Sequence, residues 1–485
     1  MRRTLIPFVM VLLLACRAAS SLPSSLAPVT LTPTLSPTST PAPTYTPSPN
    51  LPRATYDVRF HPDGGLYVGD QVSFEVIAPP ETNLRGRSAV VEVQGVEDAV
   101  FGPVEFERYG IAGRVQSTMT WAWDTSGLLP GDYALTFSIE PNGPSWTETV
   151  ALLPEDALPA VEQRARWARA ESNCCLLYYI TGSEAERDLA ELLQMADREA
   201  ATVEERLDTN LSEVVGLVIL PRILGHGGFA NQDLSVSYLD RRYTGGDPAT
   251  ILRHELVHFL DNQLGGELRP TMLVEGLAVY LSGGHYKPEP LLPRAAALLE
   301  LGWYLPLDEL ADDFYPSQHE IGYMEAGALV EYMVERWGWE AFNDFYRDIR
   351  SGPDQVDAMD KALVRHFGIT FSRLEDDFIG ALGEQAVSEA IEDDVRLSVN
   401  FYDTARRYQQ ALDPSAYYLT AWLPNGKEMR ERGIVADYLR HPSAPLNVIL
   451  ETLLLSADER LRSGDYAEVE LLLQAVNAAL DIFAP

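Results

Sequence analysis

The chain is expected to fold as three consecutive regions: an all-β antiparallel sandwich, an α+β domain and an all-α C-terminal region. Three observations predict this. Residues 54 to 153 alternate apolar and polar in short runs broken by turn residues. From Glu155 a few buried strands give way to helical periodicity, and beyond residue 389 the pattern is helical throughout. Length agrees, because the roughly 430 residues after the N-terminal leader correspond to about three domains.

The leader comes first. In "MRRTLIPFVMVLLLAC", Arg2 and Arg3 precede an apolar run, Leu5 to Ala15, that falls short of the roughly 18 residues a membrane helix needs. The segment 1–16 therefore reads as an export signal. Its end, Leu13-Leu14-Ala15-Cys16, is similar to the lipobox of bacterial lipoproteins. That resemblance implies cleavage before Cys16, acylation of Cys16 as a lipid anchor, and a mature chain tethered outside the cytoplasm to a membrane. The alternative is a soluble secreted protein with an incidental cysteine. Residues 17–53 are rich in Ser, Thr and Pro with almost no charge, and such a stretch stays extended as a stalk.

Residues 54–153 hold runs such as "QVSFEVIA", "SAVVEVQG", "STMTWAWD" and "DYALTFSI", separated by clusters such as "PPETN" and "PNGP". Roughly seven runs at this spacing predict an antiparallel β-sandwich. The phrase "LLPGDYALTFSIE" resembles the late strands of immunoglobulin-like bacterial modules. No catalytic cluster falls here, so the region is expected to be a spacer or binding module.

In residues 155–388, "CCLLYYI" reads as a buried strand. A helix follows over "SEAERDLAELLQMADREAATVEERL", with Ser183 as its cap and Glu186 three residues on. "VVGLVILP" and "LSVSYLD" are two further strands, and helices follow, which is an α+β order. Cys174 and Cys175 are adjacent and lack metal-ligand spacing; they read as a vicinal disulfide or as two buried thiols. Residues 389–485 are helical and end in a hairpin that turns at Gly464, similar to one tetratricopeptide unit. One unit is no array, so this region is expected to be a packing appendage.

A net charge of −34 argues against nucleic acid or an anionic lipid surface as a partner, because both would repel the chain.

The chemistry centres on "ILRHELVHFL", residues 251 to 260. Positions i and i+4 of a helix are neighbours, about 5–6 Å apart at Cβ, so His254 and His258 can face one ion. Glu255 lies about 100° around the helix, where it flanks the ion rather than ligating it. With eight histidines in the chain, a chance match to this pattern has a probability of order 1%, so a third ligand is needed. The helix stops at Gly265-Gly266, and Pro270 opens a second helical run, "TMLVEGLAVYL". Joined by so short a turn the two lie antiparallel, which brings Glu275 to the height of His258. Two histidines and one glutamate leave a fourth tetrahedral position open, as in catalytic zinc sites.

"HELVH", sixteen intervening residues and "EGLAVY" look like the gluzincin metallopeptidases, in the peptidase MA-like branch. The resemblance runs over roughly residues 172 to 380 and includes "GYMEAGALVEYMVERWG" and "ALVRHFGITFSRLEDDF". It implies a zinc hydrolase of peptide bonds, with Zn2+ on His254, His258 and Glu275 and Glu255 as general base. It further implies a tyrosine or histidine on a later helix that supports the oxyanion, for which Tyr323 is the candidate and His319 the next.

In the aminopeptidase branch a Gly-x-Met-Glu-Asn strand lies before the zinc helix, and its glutamate grips the substrate amine. Here Gly227-Gly228-Phe229-Ala230-Asn231 stands in that place, with Ala230 at the glutamate position. An endopeptidase is therefore favoured, with Gly227 and Gly228 alongside the substrate backbone. His226 and His285 read as surface or loop histidines, and Asp261 as a solvated helix-end acid rather than a carboxylate that orients His258. The expectation is a lipid-anchored zinc metallopeptidase acting on peptide or protein substrates; the alternative is an inactive lipoprotein that keeps the fold as a binding scaffold.

Overall fold

The computed structural model describes residues 56–79, 84–109, 114–225, 227–230, 232–285, 287–315, 319–417 and 426–483. Cys16 and the expected signal and stalk lie outside these residues, as do His226 and Asn231, and the side chain of His319 is likewise not described.

Nine strands form two facing sheets: β1 (Asp57–His61), β2 (Leu66–Tyr67), β3 (Gln71–Ile77), β4 (Ser88–Val93), β5 (Val100–Glu105), β6 (Glu107–Tyr109), β7 (Arg114–Asp124), β8 (Gly131–Glu140) and β9 (Ser145–Leu153). One sheet runs β1-β3-β7-β6 and the other β2-β9-β8-β4-β5. Every pairing is antiparallel except β2 with β9. Alternation fixes which residues face inward: Leu135, Phe137 and Ile139 of β8 and Ala89, Val91 and Val93 of β4 are all buried. Between the sheets the Phe74 ring stacks on Trp123, centroids 6.4 Å apart, and meets Phe137 edge-on at 6.2 Å. The strands beyond the seven expected include β2 and β6, of two and three residues, too short to carry a visible alternation.

The second region has a mixed five-stranded sheet, β10 (Trp167–Glu171), β11 (Cys175–Ile180), β12 (Val215–Leu220), β13 (Gly228–Ala230) and β14 (Leu234–Ser237), in the order β10-β11-β12-β14-β13. The middle three are mutually parallel, and β13 is an antiparallel edge. Helix α1 (Leu189–Leu207) makes the crossover from β11 to β12. The apolar run of β12 is explained by burial on both faces: Leu217 and Ile219 pack toward α1, whereas Val218 and Leu220 pack with Met429, Ile434 and Tyr438 from the C-terminal region and Trp121 from the sandwich.

One local expectation is corrected. Ser183 does precede a helical turn, but its hydroxyl donates back to the Ile180 carbonyl at 2.6 Å instead of capping it. Glu186 accepts from the Gly182 N–H, and the long helix begins only at Leu189. Cys174 and Cys175 are joined to each other as a vicinal disulfide.

The helices that follow are α2 (Pro248–Leu264), α3 (Thr271–Ser282), α4 (Leu291–Leu301), α5 (Leu307–Asp312), α6 (His319–Trp337), α7 (Trp339–Arg347), α8 (Gln355–Phe367) and α9 (Phe371–Gly383). The C-terminal region contributes α10 (Glu389–Leu412), α11 (Pro445–Ser463) and α12 (Tyr466–Phe483). Gly464 turns the last hairpin in a left-handed conformation (φ +75°), which costs a glycine little. This region packs against the second, with Leu397, Phe401 and Tyr408 of α10 sharing a core with its Ile223 and Tyr243. No helix among the described residues is long and apolar enough to cross a membrane.

Candidate metal centre

Helix α2 begins where its sequence says it should. Asp247 caps it, accepting from the Thr250 N–H at 2.8 Å, and Pro248 occupies the first turn, where no backbone donor is required. Gly265 (φ +74°) ends it, and α3 starts after Pro270. A close crossing then holds α3 against α6. A Cβ on Gly276 would stand 2.8 Å from the Ala326 carbonyl carbon, so only glycine lets the two helices approach this far.

That hairpin brings His254, His258 and Glu275 together. His254 Nε2 and His258 Nε2 are each 3.2 Å from Glu275 Oε2 and 3.0 Å from one another. Four ligands about 2.0–2.1 Å from a tetrahedral zinc stand roughly 3.3–3.4 Å apart, so the triangle fits such an ion closely. Two imidazoles and a carboxylate are also the donor set zinc favours. Among the described residues this is the one group of three or more His, Cys, Asp or Glu with metal-holding spacing.

The electrostatics of the trio are strongly divided. Burial acts to raise the Glu275 carboxyl, but the His258 charge and both histidine hydrogen bonds outweigh it, holding that carboxyl well below the usual range. Burial likewise opposes a charge on His258, yet Glu275 raises its imidazole to about 9. His254 falls to about 4, because burial and the adjacent His258 disfavour a second charge. One imidazolium serves one carboxylate, and a divalent cation is the natural replacement for that shared proton.

Glu255 lies beside the trio, where burial raises its carboxyl to about 7. Its carboxylate rests directly on the backbone of β13: a Cβ on Gly228 would stand 3.1 Å from Glu255 Cδ and 2.7 Å from Ile251 Cγ2. Gly227 has φ +109°, a conformation that favours glycine. Gly228 is thus placed against the candidate base, whereas Gly227, one residue earlier, lies against Arg242, Ile251 and Ser237.

Tyr323 is buried on α6, its ring centroid 6.0 Å from that of His254. The ring of His285 stacks on it at 3.9 Å and almost parallel, and His285 Nδ1 lies 2.8 Å from Glu320 Oε2. His285 lies on the loop after α3, as expected, but its side chain is largely enclosed and forms part of the site's wall instead of standing on the surface. Asp261 is corrected too. It is 1% exposed and binds Arg269, Tyr346 and Arg347 at 2.7–2.9 Å, locking the end of α2 to the chain that follows.

One residue escaped the sequence reading altogether. Tyr315, from the segment before α6, donates its hydroxyl to Glu275 Oε1 at 2.7 Å, which fixes the carboxylate's orientation while Oε2 faces the histidines. Nothing in its local pattern marks it, since an isolated loop tyrosine has no periodicity.

No family model matches the chain, and no curated protein matches it. Among solved structures it is similar to native yeast LTA4 hydrolase, at 11% identity over 85% of this chain and 89% of that one, with a TM-score of 0.32. It is also similar to an aminopeptidase N family protein from Idiomarina loihiensis, at 12% identity over 67% and 75% of the two chains, with a TM-score of 0.27. A likeness of this degree carries no conclusion about chemistry, which the site's own geometry must supply.

Proposed function

We propose that the chain is a zinc-dependent peptidase of the gluzincin type, with an endopeptidase favoured. The observation that carries this reading is the convergence of His254, His258 and Glu275 within hydrogen-bonding distance of one another, with a buried carboxylate, Glu255, beside them. Zinc, when bound, would supply a Lewis acid that polarises the scissile carbonyl and acidifies water.

The remaining roles belong to the chain. Glu255 takes the proton of the attacking water and returns it to the leaving amine, a task suited to a carboxyl raised to about 7. Tyr323 supplies a hydroxyl toward the developing oxyanion. The edge strand β13, with Gly227 at its entrance, receives the substrate backbone by strand addition. Ala230 offers no carboxylate to a substrate ammonium, which supports internal cleavage.

Export, acylation at Cys16 and attachment to a membrane belong to the same proposal, supported by the lipobox-like "LLAC". The immunoglobulin-like reading of the sandwich is supported by its strand order: β1-β3-β7-β6 and β9-β8-β4-β5 follow the pattern A-B-E-D and G-F-C-C′.

Elemental analysis of the purified protein should give about one zinc per chain. Glu255→Gln should retain that zinc while peptide turnover drops by roughly 10²–10⁴. Turnover equal to the parent's would rule out Glu255 as the base. Cys16→Ser should abolish palmitate labelling; unchanged labelling would remove the anchor.

A further inference from the structure

Four arginines are buried among the described residues: Arg222, Arg242, Arg294 and Arg440. Three of them hold carboxylates, namely Asp63 and Asp413 for Arg222, Glu289 and Asp394 for Arg294, and Asp70 and Glu162 for Arg440. Among the described residues Arg242 holds none, and neither Nη1 nor Nη2 has a hydrogen-bond partner. A buried unpaired guanidinium is costly, and a chain with 71 acidic residues has no shortage of partners to offer.

The charged and polar groups that act on Arg242 are committed elsewhere. The Asp247 carboxylate caps α2 through Thr250, Asp458 binds Arg462 at 3.0 Å, and the Tyr238 hydroxyl donates to Asp188 at 3.0 Å. Burial lowers the guanidinium to about 10, so it remains charged at neutral pH.

Its position gives the vacant donors a use. A Cβ on Gly227 would stand 3.5 Å from Arg242 Nη1 and 3.5 Å from Ile251 Cδ1. The neighbouring Gly228 lies against Ile251 and Glu255. One residue along the chain that enters β13 therefore separates the guanidinium from the candidate base, and the bare Gly227 backbone leaves Nη1 facing that segment.

We propose that Arg242 is a specificity-determining residue that receives a carboxylate of the peptide substrate, beside the bond presented to Glu255. The inference rests on the peptidase reading and deepens it. A planar guanidinium with both terminal nitrogens free matches a carboxylate in a two-pronged pair, which neither an amide nor an ammonium can replace. The carboxylate has two sources, an Asp or Glu side chain or the free C-terminus of the peptide.

The test is a binding panel on the full chain. Labelled decapeptides carry a single Glu at each position in turn, with Gln counterparts and C-terminal amides, and are titrated by fluorescence anisotropy against the parent, Arg242→Gln and Arg242→Lys. The parent should prefer one Glu register, or the free C-terminus over its amide, by at least about tenfold. That ratio should collapse to about one in Arg242→Gln and fall partway in Arg242→Lys. Whether the preference follows the Glu register or the terminus decides the source.

Unfolding midpoints of both variants should not drop, because no native ion pair is removed. A parent without carboxylate preference, or a ratio unchanged in both variants, overturns the proposal. If the ratio collapses while no peptide in the panel is cleaved by the parent, the peptidase reading fails and the carboxylate site stands.

Discussion

Around Glu275 the candidate metal centre is shaped by a residue outside the His254, His258 and Glu275 trio. Glu275 Oε2 faces two histidines, while its Oε1 is pinned by the Tyr315 hydroxyl. Removing only that hydroxyl frees the carboxylate to rotate, so Tyr315→Phe should weaken zinc binding by roughly 10–100-fold in a chelator competition. Affinity equal to the parent's would show that the hydrogen bond orients nothing. Tyr323→Phe should behave in the opposite way. Its ring stacks on His285 and the phenylalanine would keep that contact, so zinc should remain while kcat drops by roughly 10²–10³. A kcat within about twofold of the parent's would leave Tyr323 as packing. The pair of variants separates a residue that positions a ligand from one that acts on the reaction.

At the scale of elements, the sequence was readable wherever the determinant is local. The i, i+4 histidines, the Gly265 stop and Pro270 together dictate a helical hairpin, and the hairpin brings Glu275 to the two histidines. Asp261 departs from its expected solvation for the complementary reason. A helix-end carboxylate is normally solvated, and the residues that bury it, Tyr346 and Arg347, lie 85 and 86 positions away. Packing of α3 on α6 is equally nonlocal and can be tested. Gly276→Ala would place a methyl 2.8 Å from Ala326 backbone and 3.1 Å from Val330, forcing the helices apart next to Glu275. It should cost about 1–3 kcal/mol in denaturant unfolding and weaken zinc binding. Gly380→Ala in α9, where no atom of the described residues lies within 4 Å, is the control and should stabilise by about 0.5–1 kcal/mol. Equal effects at the two sites would mean the close crossing is not what requires glycine.

For the whole molecule, the question is whether the sandwich is a separable module or part of the same folded body as the metal centre. Two buried arginines connect regions far apart in sequence. Arg222, just after β12, binds Asp63 near β1 and Asp413 after α10. Arg440 binds Asp70 of the sandwich at 2.6 and 2.8 Å, the carbonyl of Gly65, and Glu162 of the connecting segment. All three side chains of the second network are less than 10% exposed. Trp121, from the sandwich strand β7, adds an apolar contact to the mixed sheet. Arg440→Met keeps much of the side chain's volume but leaves Asp70 and Glu162 as buried carboxylates without a counterion, a situation that costs about 3–5 kcal/mol. Because the lost contacts lie between regions, thermal unfolding followed by both tryptophan fluorescence and zinc release should move to lower temperature together. Arg440→Lys keeps the charge but not the fork of donors, so it should fall between the parent and the methionine variant. A downward shift confined to one early transition, with zinc release unmoved, would instead make the sandwich an independent module resting on the body that carries the candidate metal centre.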